Sequence, residues 1–400
     1  MNGLRVLITN ASLASRTGTE LYVRDLALEL LHQGHTPVVY SPTLGPLAEE
    51  VRQKTIPVVD DLSQISNPPD IIHGHHNLET VTALLAFPRV PAVYFIHDNL
   101  SLNDVPPKFQ RILRYVAVDY TCRDRLLFEY GITEDRVRVI FNSVNLELFK
   151  PRGLLPSRPA RALIYSHWPS RHFGAVRTAC TCKGIALDVL GAEFGTMSQP
   201  EVVLGKYDIV FAKARSALEA MACGAAVVLC DYRGVGPMVT TREFDRLRKL
   251  NFGHRALCNP IHPDVILSEL DRYNPKDAAE VTRFVRSKAS LSDMTDELIS
   301  LYQEVLQEYA VLGAPDADTE RRDVANFLHW MSCSRKQRED TLNNSTIMVL
   351  RNRLVRLPLA GRLICILARK LSNKMANSEQ GVLAGRLVIA PRSESNKSVV

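Results

Sequence analysis

The first forty residues constrain this chain most. Leu4 to Thr9 (LRVLIT) is a short apolar run with β-branched residues, the mark of a buried strand. Small polar residues fill Asn10 to Thr19, and from Glu20 an apolar helical stripe begins that carries Leu21, Leu26, Leu28 and Leu30. It stops at Gln33-Gly34-His35, where Gly34 provides a helix end, and Thr36 to Tyr40 (TPVVY) is a second apolar strand. Strand, helix, glycine stop and strand form a βαβ unit, which commits the chain to a parallel sheet with helices on its faces.

The rhythm continues. Strands are predicted at Asp70–His73, Pro91–His97, Tyr115–Val118 and Val137–Ile140, with a helix through Thr80–Phe87. The Pro-, Arg-, Gly- and Ser-rich stretch at Lys150–Pro159 reads as a linker. A second set of strands follows at Ala162–Tyr165, Ala186–Leu190, Asp208–Phe211 and Ala225–Cys230. The expected fold is α/β, with two Rossmann-like doubly wound domains at 1–152 and 153–313 facing a cleft. A helical basic appendage occupies 314–400, and its end, Pro391–Val400, is expected to be disordered. Four hundred residues exceed what one core usually organises, which agrees with that count. Ligands of such sheets belong in the crevice at the C-terminal strand ends.

The eight cysteines are scattered, with no CxxC pair, and Cys180 and Cys182 are too close for a metal knuckle. Reduced thiols in a cytoplasmic chain are the expectation, as is the absence of a secretory leader or spanning helix. The net charge of +6 is concentrated in the tail, where Thr341–Ser378 carries seven Lys/Arg and no Asp/Glu. That leaves the body near neutrality, and nucleic acid is not an expected partner. Thr346–Lys374 sets apolar residues among Arg351, Arg353, Arg356, Arg362, Arg369 and Lys370, with Pro358 dividing it into two short helices. A basic amphipathic pair suits an anionic membrane surface on the cytoplasmic face; a docked appendage or an oligomer contact is the alternative.

The sharpest chemical signal is Ala217-Leu218-Glu219-Ala220-Met221-Ala222-Cys223-Gly224 followed by the strand Ala225–Asp231. A helix carries one carboxylate, stops at Gly224 and enters a buried strand. In a cleft, Glu219 could accept two hydrogen bonds from vicinal ribose hydroxyls; on an outer face it would be a solvated helix glutamate. Lys213 and Arg215 precede it at the helix start, where cations and amide donors could together meet a phosphate, or could simply be surface charges. Gly18 lies in the first strand-to-helix loop, where backbone amides could approach a phosphate or sugar oxygen. Gly234 lies in Asp231–Pro237 (DYRGVGP), a Gly-rich loop expected to enter the cleft and cover donor groups, or a plain turn. His97-Asp98 ends a buried strand, where a neutral imidazole could bind a sugar hydroxyl or take part in proton transfer. His73, His75 and His76 invite a metal, but no carboxylate pattern completes a site and none is expected. Asn251-Phe252-Gly253-His254-Arg255 is an aromatic-Gly-basic cluster whose spacing demands no cleft position, and it stays outside the expected site.

The LEAMACG string resembles the nucleotide-binding signature of glycosyltransferase family 4, retaining enzymes of the GT-B fold. Val139–Pro151 (VIFNSVNLELFKP), Asp70–His73, Pro91–Asp98 and the Gly18 loop are similar in the same order, from about Leu4 to Tyr309. The resemblance implies a hexosyl transfer from a nucleotide diphosphate sugar to a hydroxyl of a glycan or lipid-linked glycan, with retention and without a metal or other cofactor. It implies Glu219 as the ribose contact, with Gly18, Lys213, Arg215 and Gly234 on the donor, and His97 and Asp98 at the transferred sugar. One departure is plain. The family carries a first glutamate eight positions before the second, where this chain has Phe211, and Phe211–Ser216 is shortened and basic. The region Ser166–Gly184, where the family holds the diphosphate with an Arg and a Lys, is also short, and Arg171, Arg177 and Lys183 fall in no evident register. A nucleotide-sugar-binding or scaffold protein that has lost turnover is therefore the alternative. An epimerase would need more acid–base groups, and an NAD enzyme a GxGxxG that the first loop lacks.

Overall fold

A computed structural model describes residues 3–166, 173–191 and 199–343. The first half comprises β1 (Arg5–Thr9), α1 (Gly18–His32), β2 (Thr36–Tyr40), α2 (Pro46–Gln53), β3 (Val58–Val59) and β4 (Ile71–His75). It continues with α3 (Asn77–Ala86), β5 (Ala92–Ile96), β6 (Ile112–Ala117), α4 (Tyr120–Asp124) and β7 (Val137–Val139). All seven strands are parallel, in the order β3-β2-β1-β4-β5-β6-β7. Every residue of β5 and β6 is buried, as expected of strands covered on both faces. Helix α1 turns Tyr22, Val23, Leu26, Ala27 and Leu30 into that core, while Leu21 and Leu28 are only partly covered. Gly34, at φ +84°, ends it in the left-handed conformation that glycine adopts without strain.

The second half comprises β8 (Arg161–Tyr165), α5 (Gly174–Cys182), β9 (Ala186–Leu190), α6 (Glu201–Leu204), β10 (Ile209–Ala212) and α7 (Ala214–Ala222). It continues with β11 (Ala226–Asp231), β12 (Gly234–Met238), α8 (Thr241–Lys249), α9 (Pro263–Leu270) and α10 (Pro275–Lys288). The sheet order is β12-β11-β10-β8-β9, parallel except for β12. The edge strand β9 alternates in exposure, whereas β10 and β11 in the middle are fully buried. β12 is the element that the hydrophobic pattern does not show. It pairs back on β11 as an antiparallel hairpin, Asp231 opposite Gly234, where the sequence suggests an open Gly-rich loop.

Helix α11 (Leu291–Leu312) lies within the 153–313 span but packs on the first sheet. Met294, Leu298, Leu301, Tyr302 and Val305 join Val6, Ile8, Tyr22, Phe95 and Val116 in one core. Arg114 of β6 reaches Glu304 at 2.5 Å and Glu308 at 2.6 Å on the same helix. The chain thus crosses between halves twice, and the crossings touch: Val144 N–H donates to Ala289 O at 2.9 Å and Leu291 N–H to Val144 O at 3.1 Å. Helix α12 (Ala317–Asn343) begins by pairing Glu320 with the buried Arg111, whose guanidinium also donates to the carbonyls of Leu84, Phe87 and Val90.

Residues up to Asp323 form one compact unit and those from Val324 another. In the described part of the latter, α12 brings the rings of Phe327 and Trp330 to 5.7 Å. The basic amphipathic segment 346–374, its break at Pro358 and the terminal residues lie outside the described residues. Among the described residues no helix is long and apolar enough to cross a membrane.

Candidate functional site

Each sheet reverses its winding once, between β1 and β4 in the first half and between β8 and β10 in the second. Such reversals open a crevice at the C-terminal strand ends. In the first sheet these ends present Asn10, His75 and His76; in the second they present Tyr165 and Lys213. A cavity of about 180 Å³ lies between the halves, walled by His97, Asp98 and Asp119 from one side and by Lys213, Asn251 and His254 from the other.

His97 follows β5 directly, and its Nε2 is 2.8 Å from Nδ1 of His75. Behind them His73 stacks on Phe95 at 4.1 Å and bonds through Nδ1 to the Tyr302 hydroxyl of α11. Tyr22 of α1 meets both His75 and His97 edge-on. Burial disfavours the imidazolium here, pushing His97 down to about 3 and holding His73 and His75 well below the usual value. His97 is therefore a neutral hydrogen-bonding group at the cavity wall. His76, at φ +60°, accepts the Ala11 N–H at Nδ1 over 3.0 Å, linking the two sides of the first crevice. Among the described residues no group of three or more His, Cys, Asp or Glu is placed to hold a metal ion.

Asp98 is exposed, and its Oδ1 accepts the amides of Leu100 at 2.6 Å and Ser101 at 3.2 Å, so the carboxylate shapes its own loop. Asp104, which the sequence does not single out, holds that loop from below. Its Oδ2 accepts the amides of Asp98 at 2.6 Å and His97 at 3.2 Å, while its buried Oδ1 has no partner among the described residues. Burial pushes Asp104 up to about 7, with the backbone bonds and Arg125 opposing and Asp98 adding to the rise.

In the second half, Phe211 is a core residue of β10, 1% exposed. The chain passes from β10 into α7 with only Lys213 between them, so there is no room for a glutamate-bearing loop. The tight passage puts Ala214 at φ +47°, its amide bonded to Phe252 O at 3.0 Å. Asn251 and Phe252 are also left-handed, at +53° and +50°, conformations that cost non-glycine residues about 1–3 kcal/mol each. The 251–255 segment, set aside in the sequence, is thus packed against the start of α7 and forms a cavity wall. Lys213 Nζ is 2.7 Å from Asp231 Oδ2 and 3.0 Å from His254 Nε2.

Glu219 is buried on α7, with both oxygens engaged: Oε1 by Arg215 Nε at 2.7 Å and Oε2 by the Tyr165 hydroxyl at 2.8 Å. It is not a solvated helix glutamate. Arg215 does not stand free toward an anion as the sequence suggests. It is buried between Glu219 and Asp25 of α1, which keep it charged against the desolvation that burial imposes. Asp25 is lowered by Arg215 and Arg24, again against burial.

The two glycines differ from expectation in physical role. A Cβ on Gly18 would meet nothing within 4 Å and its φ is not left-handed, so the residue leaves open space before α1 and relieves no strain. A Cβ on Gly234 would lie 2.8 Å from Asn259 O and 2.9 Å from Leu257 O. Gly234 therefore permits the close packing of β12 on 257–259. Of the basic residues near the start of the second half, Lys183 pairs with Asp271 on the surface, and Arg171 lies outside the described residues.

Residues 16–148 match the family profile described as Glycosyltransferase Family 4. No curated protein matches the sequence. Among solved structures, a glycosyltransferase from Rickettsia africae ESF-5 superposes with a TM-score of 0.56 at 17% identity, covering 76% of this chain and 99% of its own. The Anabaena protein HepE, solved with UDP and glucose, gives 0.52 at 15% identity over 75% of this chain and 100% of its own.

Proposed function

We propose that this chain, family 4-like in its profile match over residues 16–148 and GT-B in its fold, moves a hexose from a nucleotide diphosphate sugar to a hydroxyl of a glycan or lipid-linked glycan, with retention. The observation that carries this reading is the wall composition of the cavity between the sheets. One side offers a neutral imidazole, the other a cation held by a buried carboxylate. Lys213 faces the departing diphosphate and stabilises the charge that develops there. His97 orients the acceptor hydroxyl, whose proton passes to the leaving phosphate as the oxygen attacks the anomeric carbon from the same face. Glu219 receives the ribose hydroxyls by exchanging them for its bond to Tyr165. On this reading the transfer runs on one face, without a covalent glycosyl-enzyme and without a metal.

A second reading is supported by Phe211, which is locked in the core of β10, and by the full occupancy of both Glu219 oxygens. Under it, the protein binds a nucleotide sugar without turning it over. One experiment separates the two. Nucleotide sugars are screened by thermal shift, since a ligand at 100 times Kd stabilises by about 2.7 kcal/mol. Each stabilising donor is then incubated with a broad acceptor panel and product is read by mass. Transfer with an axial or equatorial anomer matching the donor supports the first reading; a shift without product supports the second; no shift with any donor refutes both.

A further inference from the structure

One imidazole of the cavity wall has no part in the reaction just described. His254 sits in a single turn, His254–Ala256, after the left-handed pair Asn251 and Phe252. Its Nε2 is 3.0 Å from Lys213 Nζ. An ammonium can only donate, so Nε2 accepts and the neutral ring carries its proton on Nδ1. That Nδ1 is buried, without a hydrogen-bond partner among the described residues, and 3.7 Å from Asp231 Oδ2. Asp231 is itself 2% exposed, fixed through Oδ1 by the Arg233 amide at 2.7 Å. Lys213 thus donates to His254 and meets Asp231 Oδ2 as an ion pair, while that oxygen accepts no hydrogen bond among the described residues.

We propose that Lys213, Asp231 and His254 form a phosphate-recognition cluster that takes its anion together with one proton, which goes to His254. This rests on the reading that the cavity receives a phosphate group. With the cavity empty, a second proton on His254 would aim Nε2–H at the Lys213 ammonium. Burial and the cations Lys213 and Arg233 accordingly hold His254 below the usual imidazole value, opposed by Asp231 and by Asp98 across the cavity. A phosphate oxygen beside Lys213 reverses the balance. Once the Lys213 N–H turns to the phosphate, the Nε2 lone pair it leaves would face an anion, and protonation converts that repulsion into a charge-assisted hydrogen bond. The other ring proton, on Nδ1, lies 3.7 Å from Asp231 Oδ2, near enough for charge attraction to the imidazolium though not for a hydrogen bond. The proton comes from solvent, and the cluster changes from neutral to +1 as the anion enters. The next residue, Arg255, is already paired with Asp124 at 2.6 Å and does not compete for the anion.

The same chemistry fits the diphosphate of a donor or the phosphate of a lipid-linked acceptor. The full chain is titrated calorimetrically with inorganic pyrophosphate, with UDP, GDP and ADP, and with farnesyl phosphate. Each titration is run between pH 6 and 8 in two buffers of different ionisation enthalpy, beside His254→Gln and Lys213→Met. His254→Gln supplies the ligand's own protonation, which is subtracted. The expected result is uptake of about one further proton by the unaltered chain. Its affinity should fall by up to about tenfold per pH unit relative to His254→Gln, and Lys213→Met should bind at least tenfold more weakly. Proton uptake with pyrophosphate or a nucleotide assigns the donor as the source of the anion; uptake with farnesyl phosphate alone assigns the acceptor. Binding that weakens in Lys213→Met but shows the same proton count with and without His254 overturns the inference and leaves the function standing. No binding of any of these anions overturns both.

Discussion

Arg215 on α7 and Asp25 on α1 form an ion pair that joins the two halves across the cleft. Asp25 is held in turn by Arg24 at 2.6 Å, and Arg24 reaches Glu50 of α2 at 3.1 Å. The second half is therefore tied to a charge chain anchored in the first, and the same guanidinium restrains Glu219.

Removing one member leaves a buried charge without its partner. Arg215→Ala is expected to lower stability by about 3 kcal/mol, and Asp25→Ala by a similar amount. The double variant should lose clearly less than the sum, because both changes remove one interaction. Urea unfolding of the four proteins reads the coupling directly, and strict additivity would show that the pair contributes nothing.

Asp104 gives the protein a pH signature. Its folded value of about 7 lies above the ordinary 3.8, so between those values the native state holds a proton that the unfolded chain releases. Stability should fall as pH rises from 4 to 7, by up to about 4 kcal/mol at 1.36 kcal/mol per unit, and should fall no further from this cause above pH 7. Asp104→Asn cannot ionise yet keeps an oxygen for the His97 and Asp98 amides. Its unfolding free energy should lack that slope.

Glu219→Gln preserves the side-chain shape and removes the charge. The donor contact should weaken by one charge-assisted hydrogen bond, which is about 1.5–3 kcal/mol or roughly a 10- to 100-fold rise in the donor's KM. Titration of the cognate nucleotide against both proteins tests this. Unchanged affinity would remove Glu219 from the donor site.

Tyr302 secures α11 through two separable terms. It is fully buried, and its hydroxyl meets His73 Nδ1. Tyr302→Phe should cost about 1–3 kcal/mol for the unpaired imidazole, and Tyr302→Ala about 3–5 kcal/mol as the ring is lost as well. Thermal unfolding of the pair separates packing from hydrogen bonding.

The central strands are legible because they are covered on both faces and read as short apolar runs; Pro91–His97 contains the whole of β5. β12 is not legible because Gly234–Met238 has no apolar run, and its outer side is held by mutual amide bonds between Val235 and Asn259 that no local pattern reports. In the site, Lys213 is legible at a helix start, His97 at a strand end and Glu219 as the one carboxylate of a helix that stops at a glycine. Their partners are not. Asp25 lies 190 residues from Arg215, and Tyr165 lies 54 from Glu219. His254 lies in a single basic turn without periodicity, and the 251–255 segment is brought to the start of α7 by the Ala214 N–H bond to Phe252 O, which only the folded chain makes.

The touching crossings at Val144 and Leu291 have a consequence for synthesis. Residues 145–290 are in effect an insertion within the first half, whose sheet gains its last covering helix only when α11 is made. On the ribosome, Val6, Ile8, Phe95 and Val116 must wait for the whole second half to emerge before Leu298 and Tyr302 can close over them. The nascent first half is therefore the stage at which this protein is open to aggregation, and a chain stalled near residue 150 would remain there.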